Sequence, residues 1–471
     1  MKVCFVQKQI FPYFGVMALS GCLKKEGYET DIVIDACEKD MVSALKKAKA
    51  DLIAFSVLSN EHGWLRQLSS ELKNQIPAVP VAVGGVHSIL YPEEVLALPG
   101  VDYLCRGEGE SSFVDLVRCV ALKRPTGNLP GICLKEDGRP LMRGVAPLTP
   151  ELDSFFEDRS LYYERYPKLG KLALKVFISS RGCPFDCSFC ANGSIMRIFE
   201  GKGKYVRRKS PRHFVEEIKN VITDYPAASL FFADDLFAMD ANWLEEFGSL
   251  YKKEVNLPYI CTARVDLLKE EQARFLAASG CHTVSFGVET GNELLRRGLL
   301  NKAISNKRIF EGASIIKKAG MKVQTSNMFC LPDESVEDAV ATVDLNIAIG
   351  TDYMFTTVLL PFPKTTLAGY CIDKGLLKKE YSFEDMPNSF IQDSVLSLKN
   401  KEVLLNIHKV AHLCVRFPRM KPFLIQISRK IKCRQLFLFL WLCGTFIRFQ
   451  EERKLTLWRT TRYLWEYRRG L

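Results

Sequence analysis

From Lys2 to Leu360, short apolar runs alternate with helix-like segments, and this alternation restricts the possible folds more than any other feature. In the first stretch the runs Lys2–Gln7, Thr30–Asp35, Leu52–Val57, Val79–Gly85 and Tyr103–Gly107 read as strands. Between them lie the helical segments Val16–Glu26, Asp40–Ala48, His62–Asn74 and Glu93–Leu98, and Ser111–Leu122 follows the last. Units of about 25 residues argue for βαβ repeats and a parallel sheet. The expectation for residues 1–125 is an α/β, doubly wound, flavodoxin-like domain. Ligands of such sheets sit outside the carboxyl ends of the strands, near the switch point. Those ends carry Gln7–Phe14, Ser56–Asn60, Gly84-Gly85-Val86-His87 and Arg106–Glu110. Glycines there let a ligand approach the backbone. His62 and His87, near the same ends, read as polar rim residues.

Residues 126–170 are punctuated by proline and glycine and read as a linker with no chemistry of its own. Gly131–Lys135 and Arg139–Arg143 are candidates for a small hairpin around Glu136-Asp137-Gly138. Six further strand-like runs follow in residues 171–380: Lys175–Ser180, Ser229–Asp234, Pro258–Ala263, His282–Val288, Lys322–Cys330 and Asp352–Leu360. Ser210-Pro211 is an N-cap with proline at the first helical position. Gly280 and Gly320 close helical runs just before strands. The expectation is a partial (β/α)6 barrel, with its chemistry at the carboxyl ends of the strands.

The loop after the first of those six runs is Cys183-Pro184-Phe185-Asp186-Cys187-Ser188-Phe189-Cys190. Three thiols within eight residues can converge on one small inorganic site, and Gly182 and Pro184 favour an irregular loop. Clusters of four irons are held by Cys thiolates, and three local thiols leave one iron open to a small molecule. Zinc favours paired C-x-x-C units, of which no second follows, and a disulfide leaves an odd thiol. On spacing alone, cluster, zinc, disulfide and chance all remain open.

The loop resembles the signature loop of the radical SAM superfamily, with Phe189 at the family's aromatic position before the third cysteine. The resemblance implies a [4Fe–4S] cluster on Cys183, Cys187 and Cys190. It further implies S-adenosylmethionine on the fourth iron, and reductive cleavage of that molecule to a 5′-deoxyadenosyl radical. By position, Asp234 and Asp235 after the second strand correspond to the segment that meets the methionyl amino group. Arg264 after the third could clamp the carboxylate, and Glu289 after the fourth corresponds to the ribose-binding segment. Two departures stand out: Asp333 and Lys364 occupy places where the family commonly has glycine.

Residues 1–125 resemble the cobalamin-binding domain found ahead of many radical SAM domains. The matching stretches are Lys25–Glu29, Val83–His87 and Asp102–Glu110. The resemblance implies cobalamin, with Ser56, Gly84, Gly85, Gly107 and Glu108 as contacts. The first loop, Lys8–Gly15, lacks the histidine that ligates cobalt in some such domains, and a generic flavodoxin-like domain that binds nothing is the alternative. Together the two resemblances imply a cobalamin-dependent methyltransferase acting at an unactivated carbon, served by an electron donor such as flavodoxin or ferredoxin. A radical SAM cyclase, oxidase or rearrangement enzyme is the second reading, and a non-catalytic SAM or redox sensor the third. A methylthiotransferase is disfavoured, because residues 1–150 offer no second set of three cluster ligands.

The net charge of +11 is uneven: residues 399–471 carry 17 Lys and Arg against four Glu, so the remainder is slightly acidic. That argues against a nucleic-acid partner. Scattered cysteines and the lack of a secretory signal fit a cytoplasmic protein. Residues 381–471 read as a helical, basic and apolar extension. Its run Leu436–Ile447 is too short to span a bilayer but, flanked by Arg429, Lys430, Lys432, Arg434 and Arg448, suits an anionic membrane interface. A cap packed on the barrel is the competing reading. Trp458, Tyr463, Trp465 and Tyr467 add aromatic residues to this basic tail. A small-molecule or lipid-like substrate is expected. His408 and His412, four residues apart on a probable helix, are a weak candidate for metal ligands.

Overall fold

The computed structural model describes residues 1–136, 138–363, 365–387 and 391–453. The expectations for Lys364 and for the aromatic and basic residues from Lys454 onward lie outside these. The chain forms two compact units. One comprises Met1–Phe185 with Ala191–Ala227, the other Asp186–Cys190 with the described residues from Ala228 to Arg453.

In the first unit the strands are β1 (Lys2–Gln7), β2 (Glu29–Ile34), β3 (Leu52–Ser56), β4 (Val81–Gly84), β5 (Tyr103–Cys105), β6 (Ile132–Glu136) and β7 (Arg139–Leu141). They form one sheet of order β2-β1-β3-β4-β5-β6-β7. The first five strands run parallel, and β6 and β7 add an antiparallel edge. The hairpin of the expected linker thus belongs to the first sheet. The inner parallel strands are mostly apolar, as strands covered on both faces are, whereas the edge strand β2 opens with Glu29-Thr30-Asp31; Cys4, Val6, Val33, Phe55, Val83 and Leu104 share one core with the flanking helices. The order places the topological switch between the neighbouring strands β1 and β3.

The chain continues through β8 (Leu174–Phe177) to a two-stranded ribbon of β9 (Ser180–Arg181) and β10 (Arg207–Arg208). It then forms β11 (Ser229–Phe232), β12 (Tyr259–Thr262), β13 (Cys281–Glu289), β14 (Lys322–Phe329) and β15 (Tyr353–Val358). The second sheet has the order β15-β14-β13-β12-β11-β8 and forms a half-barrel. Its helices begin where short polar side chains satisfy the free N–H groups of the first turn. Ser210, Asp240, Asn292, Ser305 and Ser335 each accept such a bond. Gly280 ends the helix Glu270–Ser279 in the left-handed conformation.

The helices Lys401–Arg416, Lys421–Lys430 and Arg434–Arg453 follow. Leu404, Ile407, Val410, Leu424 and Phe437 from these helices share a core with Phe329, Met354 and Val358 of the barrel. Over the described residues this segment is therefore a cap. Among the described residues no helix is long and apolar enough to cross a membrane. His408 and His412 are buried in the cap's core rather than facing a ligand.

Candidate active site

The carboxyl ends of β3 and β4 bring Ser56 and Gly84 opposite each other in register. Gly85 follows with φ +93°, and a Cβ there would lie 2.7 Å from the Val57 nitrogen and 3.3 Å from the Ser56 hydroxyl. Only glycine fits this close approach to β3, and Ser56, Gly84 and Gly85 are half-buried at this end of the sheet. His62 and His87 are not rim residues. They are 8% and 0% exposed, joined ring to ring at 2.8 Å, with Ser59 Oγ 3.2 Å from the second nitrogen of His87. Helix Val86–Leu90 draws His87 inward, where the N-terminus of helix His62–Gln75 meets it.

Gly107 and Glu108 lie after β5, and the Glu108 carboxylate is fully engaged. Arg207 on β10 donates to both of its oxygens, at 2.6 and 2.8 Å, and the Thr149 amide donates at 2.7 Å. Arg181 on β9 lies 3.3 Å from Glu108 and donates to Glu110 at 2.6 Å. Burial alone would raise the Glu108 pKa, but the bonds and charges of Arg207 and Arg181 hold it down at about 2. The ribbon that leads into the cysteine loop is thereby fastened to the loop after β5.

None of Cys183, Cys187 and Cys190 forms a disulfide. Cys183 and Cys190 are half-buried and Cys187 is buried. Cys187, Phe189, Arg264 and Glu289 belong to the same unit, and the charges of Arg264 and Glu289 both act on Cys187. Phe189 packs with Leu300, Met328, Leu331 and Leu359. Burial raises the Cys187 pKa, while the positive charges of Lys302 and Arg264 pull it back and the Arg264 guanidinium hydrogen-bonds the sulfur. Such cations favour the thiolate that a metal site requires. Arg264 also donates to both oxygens of Asp266, at 3.0 and 3.3 Å.

Glu289 ends β13 at a bulge, in the left-handed region with φ +66°, and its carboxylate takes Lys302 Nζ at 2.7 Å. Asp234 is 2% exposed and its carbonyl accepts from the Thr262 hydroxyl, which ties the ends of β11 and β12 together; Asp235 is exposed. Lys302 escaped the sequence reading. It lies thirteen residues beyond Glu289 in an unpatterned loop, and no spacing rule connects the two. Asp333 explains one departure from the family pattern: it sits at φ +61°, a conformation that favours glycine but that Asp tolerates better than most residues.

Residues 177–345 match the family model of the radical SAM superfamily, and residues 3–117 that of the B12 binding domain. An uncharacterized methyltransferase of Pyrococcus horikoshii is 26% identical over 376 residues, covering 78% of this chain and 80% of that protein. The anaerobic magnesium-protoporphyrin IX monomethyl ester cyclase of Rubrivivax gelatinosus is 24% identical over 76% of this chain and 66% of its own. Among solved structures, the radical S-adenosylmethionine methyltransferase TsrM from Kitasatospora setae, with cobalamin and a [4Fe–4S] cluster bound, superposes with a TM-score of 0.63. It is 18% identical and covers 79% of this chain and 75% of that one.

Proposed function

The chain belongs to the radical SAM superfamily and carries a B12-binding domain ahead of its radical SAM domain, and we propose that it is a cobalamin-dependent methyltransferase acting at an unactivated carbon. Its cofactors are a [4Fe–4S] cluster, S-adenosylmethionine and cobalamin. The cluster and S-adenosylmethionine supply hydrogen abstraction, and cobalamin supplies the methyl carrier; the protein supplies binding and orientation. The observation that carries this reading is the presence, in one chain, of the three-cysteine loop and of a doubly wound sheet with a side-chain-free edge at Gly84-Gly85.

Cys183, Cys187 and Cys190 would hold the cluster. Phe189 would pack beside it, and Asp234 and Asp235 would meet the ammonium of S-adenosylmethionine. Arg264 would meet its carboxylate and Glu289 its ribose. Ser56, Gly84, Gly85 and Gly107 would cradle cobalamin, with Glu108 fixing the loop that carries Gly107. The expected domain limits, 1–125, 126–170, 171–380 and 381–471, belong to the same reading, with the hairpin of 126–170 serving as an edge of the first sheet.

An electron donor such as flavodoxin or ferredoxin would reduce the cluster in the cytoplasm. Exposed Phe423, Phe439 and Leu442 among basic residues of the cap support a peripheral contact with an anionic membrane surface, and with it a lipid-like substrate. Salt-sensitive co-sedimentation with anionic vesicles would support that contact, and no co-sedimentation at low salt would overturn it.

The test of the main reading is anaerobic. Protein with a reconstituted cluster is mixed with hydroxocobalamin, freed of excess, and assayed for cobalt per chain. Near-stoichiometric cobalt, with S-adenosylhomocysteine formed alongside 5′-deoxyadenosine, is expected. Likeness to the cyclase of Rubrivivax gelatinosus supports a second reading, which 5′-deoxyadenosine without S-adenosylhomocysteine would favour. Cleavage without retained cobalt would remove the methyltransferase reading.

A further inference from the structure

The segment Leu299–Lys302 is bonded on one side to the cysteine loop and on the other to Glu289. Asn301 Nδ2 donates to the Asp186 carbonyl at 2.6 Å. The Ser188 amide donates to the Leu300 carbonyl at 3.1 Å, and its hydroxyl to the Leu299 carbonyl at 2.6 Å. One residue further on, Lys302 Nζ donates to the Glu289 carboxylate at 2.7 Å and to the Gly287 carbonyl at 2.8 Å. A Cβ at Gly287 would strike both the carboxylate and the ammonium, so the glycine is what lets this ion pair close over the strand. Arg296, wholly buried, braces the segment from behind. Its Nε donates to the Ile304 carbonyl at 3.0 Å and its Nη1 to the Thr290 carbonyl at 2.8 Å, while its own carbonyl accepts from the Lys302 amide at 2.9 Å. A segment held at so many points cannot let Glu289 shift without moving Asp186–Ser188. Lys302 is itself 9% exposed, a buried cation whose charge acts on the Cys187 thiol.

We propose that Lys302 is a positioning residue that couples the Glu289 carboxylate to the cysteine loop and makes the group held by that loop easier to reduce. The inference rests on the radical SAM reading above and goes beyond it by assigning a residue and two measurable effects. Reduction potentials of iron–sulfur groups depend on net charge, hydrogen bonding and solvent exposure. A buried cation favours the reduced, more negative state, so neutralising Lys302 lowers the potential. Neutralising it also leaves Glu289 buried without its partner, free to leave the orientation in which it would accept from a ribose hydroxyl.

The variants K302M, K302Q and K302R are reconstituted anaerobically, and iron per chain is measured first. The midpoint potential is then followed by electron paramagnetic resonance without S-adenosylmethionine, and the affinity for S-adenosylmethionine by equilibrium dialysis. K302M and K302Q are expected to titrate at a lower potential and to bind S-adenosylmethionine at least ten-fold more weakly, with K302R close to wild type. Either readout unmoved in a neutral variant that keeps its iron overturns the inference. Iron lost from both neutral variants and restored in K302R supports it, whereas iron lost from all three makes Lys302 a packing residue and overturns it. Wild-type protein that binds no S-adenosylmethionine overturns instead the radical SAM reading.

Discussion

Arg207 grips Glu108 with two guanidinium nitrogens, at 2.6 and 2.8 Å, across 99 residues of chain. The pair fastens the ribbon before the cysteine loop to the loop after β5. Glu108 titrates near 2 in the fold against about 4.3 in an unfolded chain. Its contribution is therefore fully present above pH 4.3 and is lost as pH falls toward 2, and amounts to roughly 3 kcal/mol. Glu108→Gln is expected to lower thermal stability at pH 7 and to flatten the acid limb of a melt-versus-pH curve below pH 4.3. An unchanged acid limb would count against the pairing.

A second buried charge cluster involves four side chains. Lys209 Nζ lies 3.0 Å from Glu157 and 2.5 Å from Glu217, and Arg159 lies 3.1 Å from Glu157. All are nearly sealed from solvent. Removing one partner of such a group leaves an uncompensated charge and costs about 3–5 kcal/mol. Lys209→Met should lower the melting temperature by many degrees. The double variant K209M/E217L, which keeps the Arg159–Glu157 pair, should recover much of that loss, and a double variant no better than K209M would place the cost in packing.

Three histidines make the protein acid-labile well above the carboxylate range. Burial lowers His87 to about 3, with the neighbouring His62 adding to the effect, and lowers His408 to about 4 and His412 to about 3. An unfolded chain takes up these protons near pH 6.5. Stability is thus full above 6.5 and falls as pH drops, by about 2 kcal/mol per histidine at pH 5. Melts at pH 7.5, 6 and 5 should show a steep decline. His408→Leu should reduce its slope, and a slope that stays the same in this variant would show that His408 is charged in the fold.

Gly85→Ala places a methyl group against the Val57 backbone at a φ of +93°. The strain in this glycine-only region, about 1–3 kcal/mol, falls at the edge assigned to cobalamin. Retained cobalt is expected to drop at least ten-fold while iron per chain stays at the wild-type level. Full cobalt retention would move the cofactor away from this edge.

The strands were legible because each is a local apolar run. β1 has its expected bounds and the other parallel strands fall within two residues of theirs at most ends. The cysteine triplet stands out in sequence because its three thiols are adjacent. What sequence did not disclose depends on partners far along the chain. The engagement of Glu108 needs Arg207, the orientation of Glu289 needs Lys302, and the burial of His87 needs a helix that begins 25 residues earlier at His62. The bulge between Gly287 and Glu289 also left no mark, since β13 is buried on both faces and has no alternating pattern to disturb. Asp333 was visible as a departure from a glycine pattern, but its left-handed backbone was not.

The two sheets impose different assembly histories. From β11 to β15 every strand pairs with the strand that follows it in the chain, so each new βα unit finds its docking edge already synthesised, and the half-barrel can lengthen in step with the ribosome. In the first sheet β1 is flanked by β2 and β3, so one edge of β1 stays open until Leu52–Ser56 has emerged. Low sequence separation between contacts favours fast folding, and unpaired strand edges are where nascent chains stick to one another.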